Sequence, residues 1–335
     1  MVENIRKGRN AAIHVYSAST ISQGMKGEAL VDMKLMKESG AVAFTDDGRP
    51  LTNEELIKEA MQKARRLKLP LSFHEEDPRF VKEPGVNSGS AAERLGLTGA
   101  DRQAEIVMVE RDCRLARELG AAIVIQHISA KESVESVRRA KQNGARVYAE
   151  ATPHHFSLTD EAVSLYGTNA KMNPPLRSEE DRMAIVRGLQ DGTIDMIATD
   201  HAPHAKAEKD RPFTEAPSGI IGLETAFALG CMNLVEPGHL TLLQLVQRMS
   251  TEAAKLYQLD AGSIKEDKPA DLTIFDPAQS WAYLVPESKS TNSPWLGKTL
   301  RGKVLLTICA GRIVYEDERL FAGRKLPIGS KKKEL

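Results

Sequence analysis

The segment Ile197-Ala198-Thr199-Asp200-His201-Ala202-Pro203-His204 sets one carboxylate and two imidazoles directly behind a short apolar run, residues 195–199. Apolar runs of that length in α/β proteins are buried strands, and chemistry collects where such strands end. An acid there can ligate a metal, act as a general base, or do both. Three more positions share the pattern: Asp47 after the run 41–45, His74 at the end of 71–74, and His127 after 122–126. Imidazole and carboxylate donors without a thiolate suit Zn2+ or a similar divalent ion. A carboxylate can also bridge two ions about 3.5–4 Å apart. Any one of these histidines alone reads as a hydrogen-bonded core or surface group. Two His and two Asp at like ends of successive strands read better as one rigidly held metal site.

The elements that must hold these groups alternate. Strands are predicted over residues 11–18, 41–45, 71–74, 122–126, 146–151 and 195–199, with helices over 30–39, 53–67, 101–119, 129–143, 178–190, 223–234 and 241–257. Asn53 is the expected N-cap of its helix. Residues 77–99 form a polar, Gly-containing insertion of the kind that has a functional reason. Repeated β–α alternation gives a parallel sheet. Candidate ligands after several different strands favour a closed (β/α)8 TIM-type barrel over an open sheet, which would gather its site at one switch point. Six strands are two short of a barrel, and residues 1–8 read as the tail of a helix. The chain is therefore expected to begin inside a barrel, after its second strand. Residues 1–257 are assigned to this partial barrel (strands 3–8) and 258–335 to a small β-rich module. In that module 270–277 and 303–316 read as strands, with a hairpin at Ala310-Gly311-Arg312.

Composition removes several classes of function. The 335 residues carry 46 basic and 46 acidic side chains, which gives no electrostatic case for nucleic acid or an anionic membrane. Cys113, Cys231 and Cys309 are scattered and odd in number, fitting a reducing compartment. No run approaches the roughly 20 apolar residues that span a bilayer, and the first eight residues hold no apolar signal core, so a cytoplasmic location is expected. The tail Lys331-Lys332-Lys333-Glu334-Leu335 reads as a solvated end rather than a retention signal. Gly297-Lys298-Thr299 is not a phosphate loop, because position 292 is Asn, and Pro78 occupies the second His position of a His-Glu-x-x-His motif.

The octapeptide resembles the signature of dihydroorotases, metal-dependent cyclic-amide hydrolases. The likeness extends, in order, to Phe44-Thr45-Asp46-Asp47-Gly48, Phe73-His74-Glu75-Glu76-Asp77, Gln126-His127-Ile128-Ser129, Thr152-Pro153-His154-His155-Phe156 and Lys171-Met172-Asn173-Pro174-Pro175-Leu176-Arg177. It spans essentially the whole chain. The resemblance implies that Asp47 bridges two Zn2+ ions, with Asp46 as an outer neighbour that orients a ligand. It implies that His74 and His127 complete the second metal, and that Asp200 ligates the first and serves as the catalytic base. Asn173 and His204 match substrate-binding positions. Pro217-Ser218-Gly219 matches a stretch that contacts the pyrimidine ring through backbone groups. The implied reaction is reversible hydrolysis of (S)-dihydroorotate to N-carbamoyl-L-aspartate in pyrimidine biosynthesis. The implied partners are a second copy in a homodimer and aspartate transcarbamoylase. The related hydantoinases and allantoinases bridge their metals with a carboxylated Lys, and 41–45 ends in none. His154 and His155 are assigned no metal and read as loop architecture; His201 supports Asp200 or a loop.

The family's first strand ends in His-x-His-x-Arg, whose histidines complete the first metal and whose Arg binds the substrate carboxylate. The sequence holds no His-x-His. His14, in the strand that matches the family's third, reads as structural. About the first hundred residues of a usual member are expected to be missing, judging from two absent β–α units. The first metal then keeps only Asp47 and Asp200, against the usual three protein ligands. Substrate binding by this chain alone is expected to be weak, and an open sheet edge favours instability. Two readings stay open: a dihydroorotase present as a fragment, and a non-catalytic scaffold for aspartate transcarbamoylase.

Overall fold

In the computed structural model, residues 1–317 are described. The terminal Lys331–Leu335 segment (residues 331–335) lies outside them.

Six strands, β1 (Ser17–Ser19), β2 (Ala41–Thr45), β3 (Leu71–Phe73), β4 (Ile123–Ile125), β5 (Val147–Ala151) and β6 (Met196–Ile197), form one sheet in sequential order. Every neighbouring pair is parallel, with Leu71 opposite Ile123 and Glu150 opposite Met196. Sequential parallel order with a helix between most strands is the winding of a TIM-type barrel. All residues of β3 and β4 are buried, as expected of strands covered on both faces. The helix Glu54–Leu67 shows why its sequence folds this way. The Asn53 side chain caps the amides of Glu55 and Leu56, and Leu56, Ile57, Ala60, Met61 and Ala64 form one buried stripe.

The first strand is displaced from its expected place at 11–18. Residues 10–16 leave the helix Val2–Gly8 through a turn, Asn10 N–H to Lys7 O and Ala11 N–H to Gly8 O. Pairing with β2 begins only at Ser17 opposite Ala41, where β2 itself begins. Ile13, Val15 and Tyr16 therefore have β-forming side chains but no strand to pair with, and they are exposed. His14 is correspondingly half-exposed in coil rather than set in an apolar strand, 3.2 Å from Asp271.

After the barrel helices, β7 (Leu272–Ala282), β8 (Thr299–Cys309) and β9 (Arg312–Glu316) make an antiparallel sheet. The β8–β9 turn uses Ala310 and Gly311 at φ 49° and 75°, the twist a tight hairpin requires. Tyr283, Trp295 and Leu300 join the same core as Phe44, Ile125 and Leu189. At Gly302 the backbone crosses so close to Cys231 that a Cβ would sit 2.9 Å from its sulfur.

Candidate functional site

β2 delivers two carboxylates to its C-terminal end, and they go different ways. Asp46 is buried and accepts hydrogen bonds from Ile21 N–H at 2.8 Å, Ser22 N–H at 3.1 Å and the Ser22 hydroxyl. It anchors the loop after β1; the expected role of orienting a metal ligand is not seen. Charge-assisted bonds to buried amides are strong ones, and their loss orphans two donors. Asp46→Ala is expected to destabilise the chain by on the order of 3 kcal/mol, read as a lower denaturant midpoint at unchanged slope. Asp46→Asn, which keeps an acceptor, should cost less.

Asp47, by contrast, is exposed to the cleft. Its Oδ1 lies 3.8 Å from His74 Nδ1, and that nitrogen lies 2.9 Å from His127 Nε2. One ligand atom from each of Asp47, His74 and His127 falls within 4.8 Å of the other two. The imidazoles meet edge to face, their centroids 4.7 Å apart. Both histidines are buried. Burial, then the neighbouring His74 and His155, push the His127 pKa well down, so its ring is neutral and its lone pair available. Burial also opposes a charged His74, but Glu76, Asp47 and Asp200 outweigh it and raise its pKa. His127 and Asp200 hold positive φ, 32° and 46°. Non-glycine residues reach that region only when their surroundings over-determine it, and such strain gathers at functional sites.

Asp200 leaves β6 toward the same cluster. Burial, then Asp47, lift its pKa to about 6, against the opposing pull of His74. Two acids that the sequence reading passed over join it. Glu150 on β5 is pushed to about 8 by burial, then by Asp47 and Asp200. Glu76 lies 3.6 Å from His74 Nε2, with its Oε1 buried and unpartnered. The signals were available: Glu76 sits two residues past His74, and Glu150 breaks an apolar strand. No Lys or Arg contributes to holding the charge on Asp200 or Glu150. Converging carboxylates beside two imidazoles, with no Lys or Arg among the described residues acting on Asp200 or Glu150, are a donor set that fits a divalent ion.

Asp47, His74, Glu76, His127 and Asp200 line a cleft of about 770 Å3 that also takes in Asn173, Ser218 and Gly219. Ser218 Oγ donates to Asn173 Oδ1 at 2.9 Å. Gly219 is required by space: at φ 152° a Cβ would meet His204 Cδ2 at 2.7 Å and Ala202 O at 2.8 Å. His204 stands behind this loop, its Nε2 bonded to Ser218 O at 2.9 Å, and the Pro217 carbonyl faces Lys209. Neither His204 nor Pro217 lines the cleft. His201 Nδ1 accepts from Gly222 N–H at 3.1 Å, a loop support. His155 bridges Thr152 Oγ1 and Pro174 O, whereas His154 Nε2 is buried without a partner.

The fold and this cluster define a class, a metal-dependent hydrolase built on a parallel barrel. The amidohydrolase family profile matches residues 9–314, and the chain belongs to that family. Among its relatives, a dihydroorotase from Clostridioides difficile is 57% identical over 92% of this chain and 73% of its own length. A dihydroorotase from Clostridium acetobutylicum is 52% identical over 95% of the chain and 76% of its own length. In structure, an L-hydantoinase (dihydropyrimidinase) from Arthrobacter aurescens superposes with a TM-score of 0.79 at 22% identity, covering 94% of this chain and 74% of that one. A D-hydantoinase from Thermus sp. gives 0.78 at 22%, over the same shares. At that identity the likeness is one of fold.

Proposed function

We propose that this chain carries a dihydroorotase site that interconverts (S)-dihydroorotate and N-carbamoyl-L-aspartate with bound Zn2+, a step of pyrimidine biosynthesis. The observation that carries the reading is the meeting of Asp47, His74 and His127 at one cleft, with Asp200 electrostatically coupled to them, in a chain 57% identical to a dihydroorotase.

Asp47, His74 and His127 would hold one ion as a three-donor set, and Asp47 and Asp200 would contribute to a second. The bound ions supply Lewis acidity at the ring carbonyl and a water acidic enough to ionise near neutrality. Asp200 lines the same cleft, three residues beyond the end of β6. Its role is to take the water proton and hand it to the leaving ring nitrogen, the reverse in the synthetic direction. Asn173, with its carbonyl occupied by the Ser218 hydroxyl, presents its NH2 group to the ring edge. The Ser218-Gly219 segment closes the other side of the cleft. The hydantoinase alternative lacks its bridge here, since no lysine lies within β2 or at its end.

The test is turnover of dihydroorotate by the metal-loaded chain, alone and extended at its N-terminus by the preceding segment of the Clostridioides difficile relative. Metal-dependent turnover that disappears with Asp200→Ala is expected. Turnover that survives Asp200→Ala or chelation, or none in the extended chain, refutes the assignment.

A further inference from the structure

The segment 213–219, which brings Ser218 and Gly219 to the cleft, is held from behind by two buried lysines. We propose that Lys171 and Lys209 are positioning residues, a pair of ammonium clamps that fix this segment so that its backbone turns carbonyls away from the cleft and a donor toward a carbonyl-bearing ring edge. The substrate part of this inference rests on the dihydroorotase reading; the clamp does not.

Lys171 Nζ donates to Phe213 O at 2.6 Å and Ala216 O at 2.7 Å. Lys209 Nζ donates to Pro217 O at 2.8 Å and Gly219 O at 3.2 Å. His204 engages Ser218 O, and Asn292 Nδ2 adds a bond to Gly219 O at 3.0 Å. Five carbonyls of a seven-residue segment are thus occupied by side chains from outside it. The Gly219 N–H returns to Lys171 O at 2.9 Å, which ties the segment to the strand of chain that carries Asn173.

Both lysines are buried, at 2% and 4% exposure, and among the described residues no carboxylate offsets either charge. Burying a charge without a counter-charge is costly, and a neutral side chain could satisfy a carbonyl more cheaply. The expense is explained if the segment must not move. An ammonium has three donors and no acceptor, so each can hold two carbonyls at once, and Lys171 Nζ also lies 5.0 Å from the centre of the Phe213 ring. At the cleft-lining residues Ser218 and Gly219 both carbonyls are engaged from outside and the Gly219 N–H is bonded to Lys171 O, which leaves the Ser218 N–H to offer. Asn173, its Oδ1 already accepting from Ser218, has its NH2. Two donors side by side select a ligand edge rich in carbonyl acceptors and reject one that presents N–H groups, which would leave those donors unpaired.

The same burial makes the clamp sensitive to alkali. Burial, then the charge of Lys171, bring the Lys209 pKa down to about 8, and burial alone lowers that of Lys171. His204 is the other titratable side chain bonded to the segment, through Ser218 O. Loss of a proton at Lys209 removes one donor and weakens the hold on Pro217 O and Gly219 O.

The experiment combines hydrogen exchange of residues 213–219 with calorimetric binding of dihydroorotate to the metal-loaded chain, for wild type, Lys171→Met and Lys209→Met. Either variant is expected to speed exchange of the segment at least about tenfold with β3 and β4 unchanged, and to weaken dihydroorotate about tenfold without loss of metal. In the wild type, exchange corrected for its intrinsic pH dependence should rise above about pH 8, and Lys209→Met should abolish that rise. The pH series needs no variant to fold. Unchanged exchange in the variants together with no rise above pH 8 overturns the clamp. Faster exchange with unaltered affinity overturns its positioning role. If wild type binds no dihydroorotate, the substrate reading falls, and exchange alone still decides the clamp.

Discussion

Replacing His127 with alanine is expected to weaken metal binding by well over about a hundredfold and to take turnover with it. Removing a group that only supports a ligand already costs about 10–100-fold in affinity or activity, so removal of a donor itself must exceed that range. His127 is also the least replaceable member of the set. Its ring is buried, neutral and 2.9 Å from His74 Nδ1, and its backbone holds φ 32° to aim it. A water cannot take its place with the same lone pair fixed in the same direction. The control is His14→Ala, since His14 lies half-exposed beside Asp271 on another part of the surface. Metal content after exhaustive dialysis and turnover at saturating metal should fall together for His127→Ala and stay level for His14→Ala. Retention of a full metal complement by His127→Ala, with an intact far-ultraviolet circular dichroism spectrum, contradicts the site drawn from Asp47, His74 and His127.

Much of this site could be read before any coordinates, because a strand end leaves little freedom. Asp47, His74, His127 and Asp200 each follow an apolar run short enough to be a buried parallel strand, and parallel strands deliver their ends to one face. What sequence could not supply was partnership. Residues 11–18 have strand-like side chains, but a strand exists only where another backbone pairs with it, and β2 offers none before Ala41. Asp46 and Asp47 are chemically identical neighbours. Only the loop after β1, whose amides close on Asp46, decides which one is free for the cleft. Lys171 and Lys209 look like ordinary surface lysines until the segment 213–219 folds over them. Glu150 lies in a strand whose apolar pattern favours the core, and its acid shows its effect only when Asp47 and Asp200 arrive from other strands.

The metal-free chain should lose stability as pH rises from about 6.5 to 8, the reverse of a protein whose carboxylates are salt-bridged. Glu150 is the main contributor at the cleft. Burial, then Asp47 and Asp200, raise its folded pKa to about 8 from an ordinary 4.5. Between those values the folded state binds more protons than the unfolded one, so stability falls with pH until the folded pKa is passed. Asp200 acts in the same sense, but only up to about 6. The buried His127 and His154 work in the opposite direction: their lowered pKa values cost stability as pH drops below the ordinary 6.5. Above 6.5 they are neutral folded and unfolded alike, and His74, with its raised pKa, adds to the Glu150 effect. Lys209 enters only above about 8. Glu75, raised well above the ordinary carboxyl value by burial, then by Asp112, acts in the same sense as Glu150, so within the window from 6.5 to 8 only the part that Glu150→Gln removes belongs to the cleft. Across this window one extra bound proton amounts to at most about 2 kcal/mol by linkage, enough to lower the melting temperature visibly in a chelated sample. A divalent ion at the cluster compensates Asp47 and Asp200, so loading it should flatten the slope and raise the melting temperature most at pH 8. Glu150→Gln should make the chelated protein more stable than wild type at pH 8, with the gap narrowing as pH falls toward the ordinary carboxyl value of 4.5. A melting temperature that stays flat or climbs across the window without metal, or a Glu150→Gln variant indistinguishable at pH 8, would show that Glu150 is not held protonated by its neighbours.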